Sequence, residues 1–341
     1  MTHHLIPKSG HFYKANLHTH TTCSDGCKTP EEIKEIYKAH GYSVVAYTDH
    51  DVMVDHSDLN DENFLAITSH EVYTNGTGQG AALPTYHLNF YAPVPHCTDY
   101  VCPNPNYSWG NARAIADTQE HYKGDYIRRY SVEGQNEMIA EARKKGYLVS
   151  YNHPDWSLQS YPDYIGLRGI TAVEVYNTGC VVAGWVLDEG DHVLDHFLKA
   201  GLRVYPIATD DCHGTHDMCG GWVRFKAEEL TYDAIMNAYA QGDFYATWGP
   251  ELTSLYLEDG VLKMDFPAES GVVSAEVHTA LRWVGRQNGQ DMTHAEIDLN
   301  SYVAEVKRIG YPLDRAYFRV IVTDQSGNRA MTRGYFLDEL E

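Results

Sequence analysis

Two histidines and an aspartate stand close together near the start of the chain, in the segment NLHTHTTCSDG at 16–26. In a β-strand, residues i and i+2 point to the same face, so His18 and His20 would project side by side, with Asp25 in the loop that follows. Imidazole nitrogens and carboxylate oxygens are common ligands of divalent metals. Taken alone, the segment fits either a metal site or a chance pair of histidines.

Histidines and acidic residues recur along the chain, each within or directly after an apolar run. The segments are TDHD with Asp49, His50 and Asp51, SHEVY with His70 and Glu71, YHLNFY with His87, YNHPDW with His153, and ATDDCHG with Asp210, Asp211 and His213. A single histidine after a strand is a common feature of protein cores. Together with the segment at 16–26, these make six such places in series, which indicates metal binding instead.

The segments between these motifs alternate between predicted strands and helices. TPEEIKEIYKAHG at 29–41 begins with a capping Thr29, a proline and two glutamates, which predicts a helix. Strands are predicted at YSVVAYTDHD, LVSYNHPDW and GITAVEVYN, and helices at NEMIAEARKKGY, HVLDHFLKAG and TYDAIMNAYAQG. This alternation predicts parallel pairing through βαβ units, in which functional residues collect at the carboxyl ends of the strands.

Two regions depart from the alternation. Residues from about 93 to 134 are rich in Pro, Asn, Tyr and charged residues, and they are too long for an ordinary connection, so we predict an insertion or lid there. After Pro250, alternating runs separated by Gly, Asp and Asn turns predict a small all-β, sandwich-like domain at 251–341. Residues 1–250 then form the α/β domain that carries the metal ligands.

The composition restricts the classes of function. The 341 residues are 43% hydrophobic, as in a globular protein, and the formal charge of −21 would repel nucleic acids and anionic membranes. No apolar run is long enough to cross a bilayer, and the first residues lack the layout of a secretory signal, so we expect a cytoplasmic protein. Seven cysteines without a C-x-x-C pair indicate neither a disulfide framework nor a zinc ribbon. We expect a small-molecule substrate; the oligomeric state does not follow from the sequence.

The order of the motifs resembles the PHP (polymerase and histidinol phosphatase) superfamily of metallohydrolases. The resemblance extends over about residues 11–250. More narrowly, the chain is similar to the CehA/McbA-like branch, whose members carry a C-terminal β-domain. The resemblance implies a distorted (β/α)7 barrel with two or three divalent metal ions at the carboxyl ends of its strands.

The resemblance also implies which side chains hold each ion. The implied sets are His18, His20, Glu71 and Asp211 for one metal, Glu71, His87 and His153 for a second, with Glu71 as the bridge, and Asp25, His50 and His213 for a third. The family's last motif, Asp-x-His, selects Asp211 rather than Asp210. Many relatives have histidine where this chain has Asp25, so the choice among zinc, manganese and iron stays open.

Other polar residues near these motifs are expected to orient the ligands, because a metal-bound imidazole needs a hydrogen-bond acceptor behind it. Asp49, Asn152 and Asp155 are candidates for that role. Glu174, in the strand VEVYN, is interpreted as a core carboxylate or as one that contacts a ligand.

Two or three divalent ions can lower the pKa of a bridging water and hold an anionic substrate. The predicted function is therefore a metal-dependent phosphoesterase that acts on a small phosphorylated metabolite through a metal-bridging hydroxide. Its catalytic residues would be Asp211, Glu71 and His213. Arg113, Arg128 and Arg129 in the insertion are candidate substrate-binding residues, or they balance an acidic surface.

Two alternatives remain open from the sequence. The same metal centre could hydrolyse a carbamate, an amide or a carboxylic ester, since relatives in the CehA/McbA-like branch are associated with carbamate hydrolysis. The chain could also be a non-catalytic module in which the metals are structural and the β-domain binds carbohydrate or protein. Structural zinc sites are closed tetrahedra, and this chain offers more ligands than one such ion needs.

Overall fold

Strands and helices alternate along the first 250 residues, and strands dominate after them. The computed structural model describes residues 2–119, 122–186 and 190–340. The α-helices described are α1 (Pro30–Ala39), α2 (Gly110–Ala116), α3 (Val132–Lys144), α4 (Tyr161–Tyr164), α5 (Thr178–Val182), α6 (Asp191–Lys199), α7 (Tyr232–Gln241) and α8 (Asn300–Ile309). The strands are β1 (Thr2–His4), β2 (His11–Asn16), β3 (Val44–Tyr47), β4 (Leu65–Asn75), β5 (Thr85–Tyr91), β6 (Leu148–Tyr151), β7 (Ala172–Asn177), β8 (Tyr205–Thr209), β9 (Trp222–Ala227), β10 (Phe244–Thr247), β11 (Ser254–Glu258), β12 (Val261–Asp265), β13 (Val272–Thr279), β14 (Val284–Met292), β15 (His294–Asp298), β16 (Tyr317–Asp324), β17 (Arg329–Thr332) and β18 (Tyr335–Phe336).

The first helix forms for the local reason that the sequence predicts. The Thr29 hydroxyl accepts a hydrogen bond from the backbone N–H of Glu32, and the Glu32 carboxylate accepts one from the N–H of Thr29. This reciprocal pair satisfies two donors that the first turn would otherwise leave without partners. The apolar face of α1, with Ile33 and Tyr37, is buried. The helix predicted at 29–41 is confirmed, and the α1 range is Pro30–Ala39.

One large sheet carries the strands that bear the candidate ligands. Its order is β14-β13-β16-β17-β10-β9-β2-β3-β4-β5-β6-β7-β8, and β18 pairs with β16. The predicted parallel pairing is confirmed for β2–β3–β4 and for β6–β7–β8. Strand β5 runs antiparallel to both neighbours. The reason is the short connection at 76–84, which returns the chain as a hairpin because it has no room for a helical crossover.

The two ends of this β2–β8 series approach each other beyond the strand ends. An isolated parallel bridge pairs Thr19 with Cys212. It is accompanied by hydrogen bonds from the Asp211 N–H to the His18 carbonyl (2.9 Å) and from the His20 N–H to the Cys212 carbonyl (3.1 Å). Among the described residues no strand ladder joins β8 to β2, so the architecture is an α/β protein with a large mixed sheet.

The chain after residue 250 is distributed over two sheets. Strands β13, β14, β16, β17 and β18 extend the large sheet beyond β10, whereas β11, β12 and β15 form a four-stranded sheet with the N-terminal β1. Pairing between β10 and β17 therefore crosses the boundary predicted at 250/251, and the division into two domains remains a prediction.

Helix α8 corrects the all-β expectation. Its buried face consists of Tyr302 and Val306, which have a helical spacing within NSYVAEVKRI. The strand-like patterns of the neighbouring segments hide this spacing in the sequence.

The structure includes no helix, among the residues it describes, with both the length and the apolar character needed to cross a membrane. The apolar clusters lie instead between sheet and helices. The largest cluster joins the strands β4–β8 to the predicted insertion through Tyr100 and Tyr122, which are both buried.

The predicted insertion is attached to the large sheet at Asp51, just after β3. The backbone carbonyl of Asp51 accepts hydrogen bonds from the Ser108 hydroxyl (2.9 Å) and the Tyr122 hydroxyl (2.7 Å). Its carboxylate forms a buried ion pair with the Arg128 guanidinium, which also donates to the Tyr73 carbonyl (2.8 Å). Burial raises the pKa of the Asp51 carboxyl even though Arg128 acts in the opposite direction, which shows how strongly this position is desolvated.

We expect Arg128→Met to destabilise the protein by about 3–5 kcal/mol, because the substitution leaves the Asp51 carboxylate buried without its partner. Arg129→Met is the matched control, since Arg129 pairs with Glu137 on the surface and its loss should cost less than about 1 kcal/mol. Chemical denaturation monitored by circular dichroism measures both values. Equal effects of the two substitutions would contradict the anchoring role of Arg128.

Candidate metal centre

All nine predicted ligand residues lie in one cluster at one edge of the large sheet. They are His18, His20, Asp25, His50, Glu71, His87, His153, Asp211 and His213. Most of them follow the carboxyl ends of parallel strands, as the sequence predicts. Strand β5 is antiparallel, so its amino-terminal half lies at the same edge, and His87 is its third residue. The strand directions therefore explain the convergence.

One group contains His18, His20, Glu71 and Asp211, whose ligand atoms all lie within 4.8 Å of one another. The Nε2 atoms of His18 and His20 are 3.2 Å apart. The His20 Nε2 lies 3.0 Å from Asp211 Oδ1, and the His18 Nε2 lies 3.2 Å from Glu71 Oε1. The four donors thus face one point, and this set coincides with the first set that the family resemblance implies.

The other two implied sets overlap more than the resemblance suggests. Glu71 Oε1 lies 3.0 Å from His87 Nδ1 and 3.5 Å from His153 Nε2, while Glu71 Oε2 lies 3.2 Å from His50 Nδ1. His50 therefore groups with Glu71 and His87 as well as with Asp25. The Glu71 carboxylate contacts members of all three sets.

The last group lies at the exposed side of the cluster. Asp25 Oδ2 is 3.3 Å from His213 Nε2 and 3.9 Å from His50 Nε2. His20 joins this group through its Nδ1 atom, which is 3.6 Å from Asp25 Oδ1. The His213 side chain is 39% exposed, whereas that of His20 is fully buried, so this group borders the solvent.

Several buried polar atoms in the cluster have no hydrogen-bond partner among the described residues. They are His20 Nδ1, His50 Nδ1 and Glu71 Oε2. Leaving a buried polar atom without a partner costs on the order of 1–3 kcal/mol. Their presence at the centre of a ligand-rich cluster fits cation binding, because a bound cation would satisfy lone pairs to which the described residues direct no well-oriented hydrogen bond.

The charges in the cluster depend on one another. Burial by itself would raise the pKa of Glu71, but His18, His87 and His50 hold it well below its usual range. Asp211 behaves in the same way, with a pKa lowered chiefly by His18 and His20 against the effect of burial. Both carboxylates are therefore ionised near neutral pH, which is the form that binds metals.

The imidazoles divide into two kinds. Burial would lower the pKa of His20, but hydrogen bonds to Asp211 and Glu71 outweigh it and raise the pKa to about 10. The pKa of His153 likewise rises to about 8, because Glu71 and other carboxylates outweigh burial. Burial dominates at His50 and lowers its pKa to about 3. The imidazoles are therefore not all protonated at the same time. The positive charges of the protonated imidazoles offset only part of the negative charge of the carboxylates.

Glu174 lies behind His18 and fixes its orientation. Its carboxylate accepts a hydrogen bond from His18 Nδ1 (2.7 Å), which leaves the His18 Nε2 facing the cluster. The same carboxylate accepts from the backbone N–H of His153 (2.8 Å) and from the Thr209 hydroxyl (2.8 Å). The interpretation of Glu174 as a carboxylate that contacts a ligand therefore agrees with the geometry.

Asn152 and Asn177 hold the two central carboxylates. The Asn152 side-chain amide donates to Glu71 Oε1 (2.8 Å), and the Asn177 amide donates to Asp211 Oδ2 (3.2 Å). The role of Asn152 agrees with the prediction from the sequence. Asn177 was not predicted, because its position at the end of a predicted strand is the only signal that the sequence gives.

Two acidic residues next to the ligands have structural roles. Asp210 is buried and accepts hydrogen bonds from the Tyr37 hydroxyl (2.8 Å), the Thr178 hydroxyl (2.7 Å) and the backbone N–H groups at 219–221. Asp49 accepts from the Thr21 N–H (2.8 Å) and hydroxyl (2.8 Å). These carboxylates hold the loops that carry the ligands and do not face the cluster.

The backbone is strained at two of the ligand residues. Asp211 has a φ of +52° and His153 a φ of +25°, a region that residues other than glycine rarely adopt. Such strain costs on the order of 1–3 kcal/mol and persists only where the surroundings enforce it. At Asp211 the enforcing contact is the hydrogen bond from its N–H to the His18 carbonyl.

The cluster opens into a cleft of about 570 Å³. Besides seven of the ligand residues, Trp156, Trp185, His216 and Asp217 line it. None of these four residues is predicted from the sequence motifs. Trp156 ends the motif YNHPDW, three residues after His153, which is a signal for a position near the site, whereas nothing near Trp185 in the sequence marks it as a site residue.

The structure does not bring the predicted substrate-binding arginines into this cleft. Arg113 pairs with Asp117 on the surface, Arg129 pairs with Glu137 on the surface, and Arg128 is committed to Asp51. No arginine or lysine is among the described residues that line the cleft. Each of the three arginines forms an ion pair with a carboxylate outside the lining of the cleft, and their contact with a substrate stays a prediction.

Comparison with known proteins gives similarity at the level of the fold only. No family model and no curated protein matches the sequence. The chain is similar to a two-domain protein from Bacteroides vulgatus described as containing a PHP-like metal-dependent phosphoesterase (14% identity, 86% of this chain and 88% of that one, TM-score 0.44). It is also similar to an amidohydrolase from Chromobacterium violaceum (15% identity, 67% and 96%, TM-score 0.43) and to a lesion-specific endonuclease from Pyrococcus furiosus (13% identity, 67% and 56%, TM-score 0.40).

Glu174→Gln is expected to weaken divalent-metal binding by about tenfold to a hundredfold, because the amide could no longer hold the His18 Nδ1–H as a carboxylate does. Competition against a chromogenic chelator measures the affinity. Glu137→Gln, which changes an exposed carboxylate, is the matched control and should leave the affinity unchanged. Unaltered affinity in Glu174→Gln would show that the carboxylate does not support the ligand.

Proposed function

We propose that this protein is a metal-dependent hydrolase whose active site is the His/Glu/Asp cluster. The observation that carries the proposal is the Glu71 carboxylate, which lies within 3.5 Å of imidazoles from three ligand sets and borders an open cleft. A purely structural metal site would be closed on all sides. A cleft beside a shared carboxylate leaves room for a substrate next to the metals.

The residues present fit divalent ions. His18, His20, Glu71 and Asp211 would hold one ion; Glu71, His87 and His153, with His50 nearby, a second; and Asp25, His50 and His213 a third. The mixture of imidazole and carboxylate donors suits zinc, manganese or iron. When bound, divalent ions supply Lewis acidity, which lowers the pKa of coordinated water and neutralises charge on the substrate.

The protein groups bordering the cleft can position and move protons. Asp211 is ionised, and its Oδ2 accepts from the Asn177 amide, so its carboxylate can hold a cation and orient a water molecule in the cleft. His213 Nδ1 lies 2.9 Å from the Asp211 carbonyl, which fixes the tautomer with hydrogen on Nδ1. Its Nε2 then faces Asp25 and the cleft, where it can bind a cation or exchange a proton.

The fold and family belong to the same proposal. We infer that β2–β8 form the distorted seven-stranded barrel of the PHP superfamily, and the Thr19–Cys212 bridge between the two ends of the series supports this. Membership of the branch with a C-terminal β-domain, and the division at about residue 250, are parts of the same inference. A small molecule is the proposed substrate.

Two kinds of bond are candidates for hydrolysis. A phosphoester is the first, because two or three divalent ions stabilise the charges of phosphate transfer. A carbamate, an amide or a carboxylic ester is the second. The lining of the cleft supports this second candidate, because the described lining residues include no arginine or lysine that could hold a phosphate. A neutral carbonyl substrate would need no such cation.

Asp211→Asn is expected to reduce turnover by at least about a hundredfold while leaving the fold intact, because the neutral amide binds metals far more weakly than the carboxylate does. The measurement is hydrolysis by metal-reconstituted protein of a panel of phosphomonoesters, phosphodiesters and aryl carbamates. Circular dichroism melting checks the fold. Asp117→Asn, on the exposed end of α2, is the matched control.

The outcome of the panel selects the bond. Phosphate release that depends on Asp211 supports the phosphoesterase, and carbamate turnover with no phosphate release supports the alternative. Full activity of Asp211→Asn on every substrate would rule out the proposed site.

A further inference from the structure

A further set of potential metal ligands lies in and beside the loop that carries Asp25. It consists of Cys23, Asp49 and His56, hereafter the Cys23 group. Each residue offers one ligand atom, and these atoms all lie within 4.8 Å of one another, as in the sets of the metal-ligand cluster. The nine residues of that cluster include none of the three and no cysteine. The Cys23 group therefore has a donor atom that the cluster lacks.

Hydrogen bonds hold Cys23 next to the Asp49 carboxylate. The Thr21 hydroxyl accepts from the backbone N–H of Cys23 (3.0 Å) and donates to Asp49 Oδ2 (2.8 Å). The Ser24 hydroxyl donates to Asp49 Oδ1 (2.7 Å). Residues on both sides of Cys23 are thus bound to the same carboxylate, so the loop itself fixes the position of the thiol.

Asp49 keeps a lone pair that these hydrogen bonds do not use. Its Oδ1 accepts from the Thr21 N–H and from the Ser24 hydroxyl. Its Oδ2 accepts only from the Thr21 hydroxyl in the described part of the chain. Since each carboxylate oxygen has two lone pairs, one remains on Oδ2. Asp49 can therefore bind a cation without giving up the contacts that hold the loop.

His56 is the buried member of the group that lacks a hydrogen-bond partner. It is 8% exposed, and its Nε2 has no partner among the described residues. The imidazole packs against the Tyr47 ring, with 4.7 Å between the ring centroids. Burial lowers the pKa of His56 although Asp49 and Asp58 act in the opposite direction. The imidazole is therefore neutral near pH 7, which is the form that binds metals.

The donor set and its surroundings favour a particular kind of cation. Carboxylates surround the group: Glu31 and Asp49 act on Cys23, and Asp58 acts on His56. Such negative charge around buried polar groups favours a cation. Thiolate, imidazole and carboxylate together are typical ligands of zinc, whereas magnesium and calcium prefer oxygen alone.

We propose that Cys23, Asp49 and His56 bind a zinc ion of their own, separate from the ions of the metal-ligand cluster. The Cys23 thiol loses its proton to solvent as the zinc–sulfur bond forms. Because Cys23 precedes Asp25 by two residues and Asp49 directly precedes His50, the ion ties together two segments that carry ligands of the cluster. The inference goes beyond the proposed hydrolysis and does not depend on it.

Cobalt(II) is the probe, because a thiolate bound to cobalt gives a charge-transfer band in the near ultraviolet. The metal-free protein is titrated with Co²⁺ while this band is followed. We expect the band in the original protein and its loss in Cys23→Ser, since cobalt in the metal-ligand cluster meets no sulfur. His56→Gln should weaken the binding that produces the band by at least about tenfold, the least effect seen when a metal site loses even a supporting contact.

The matched control is Cys27→Ser, which removes an exposed thiol four residues further along the same segment. It should leave the band and the cobalt affinity unchanged. The proposed site is overturned if the original protein gives no band, if the band persists in Cys23→Ser, or if it disappears in Cys27→Ser.

Alkylation of the original protein tests the same site without any substitution, so it does not depend on the folding of a variant. Iodoacetamide labels free thiols, and mass spectrometry of peptides gives the rate for each cysteine. We expect zinc to slow the labelling of Cys23 by at least about tenfold and to leave that of Cys27 unchanged, because a metal-bound thiolate is not free to react. Equal rates for Cys23 with and without zinc would overturn the site, and so would equal protection of both thiols.

Discussion

The structure depends on the burial of one ionised carboxylate, that of Glu71. Its side chain is 1% exposed, and a charge so deeply buried is tolerated only when opposite charges or hydrogen-bond donors surround it. Imidazoles of His18, His50 and His87 and the amide of Asn152 provide that environment.

Bringing so many imidazoles together creates the converse difficulty, because they repel one another when protonated. Burial accordingly lowers the pKa of His50 to about 3, while carboxylates raise that of His20 to about 10. Divalent cations would resolve both difficulties at once, because they bind neutral imidazoles and ionised carboxylates together.

The rest of the fold positions this group. Parallel strands deliver ligands from their carboxyl ends, and the antiparallel β5 delivers His87 from its other half, so all ligands meet at one edge. Supporting carboxylates such as Glu174 and Asp210 then fix the loops and rings through hydrogen bonds. The strained backbone of Asp211 shows that its position is imposed by these surroundings and not by local preference.

The insertion at about 93–134 influences the site indirectly. Its arginine Arg128 is paired with Asp51, next to the ligand His50, and so it stabilises the loop after β3 without reaching the cleft. The described lining of the cleft contains no arginine or lysine that could bind a phosphate. It does contain the side chains of Trp156 and Trp185. Most of the candidate ligands therefore come from strand ends, whereas Trp156 and Trp185, which line the cleft, lie in segments outside the strands.

The sequence by itself determined the α1 helix and the alternation of strands and helices, because these follow from residue type and local spacing. It also gave the candidate ligand residues, through the order of the motifs and the family resemblance that they carry. His18 and His20, or Thr29 and Glu32, lie within a few positions of each other, where the backbone geometry is nearly fixed. Only the tertiary structure decided the direction of β5, the overlap of the ligand sets at Glu71, the helix α8 within the β-rich region and the pairing of Arg128 with Asp51. Each of these depends on contacts between residues far apart in the chain: Arg128 and Asp51 are 77 positions apart. Periodicity cannot reveal which distant charge an arginine meets, since that choice is made by packing and by the cost of leaving a buried carboxylate without a partner.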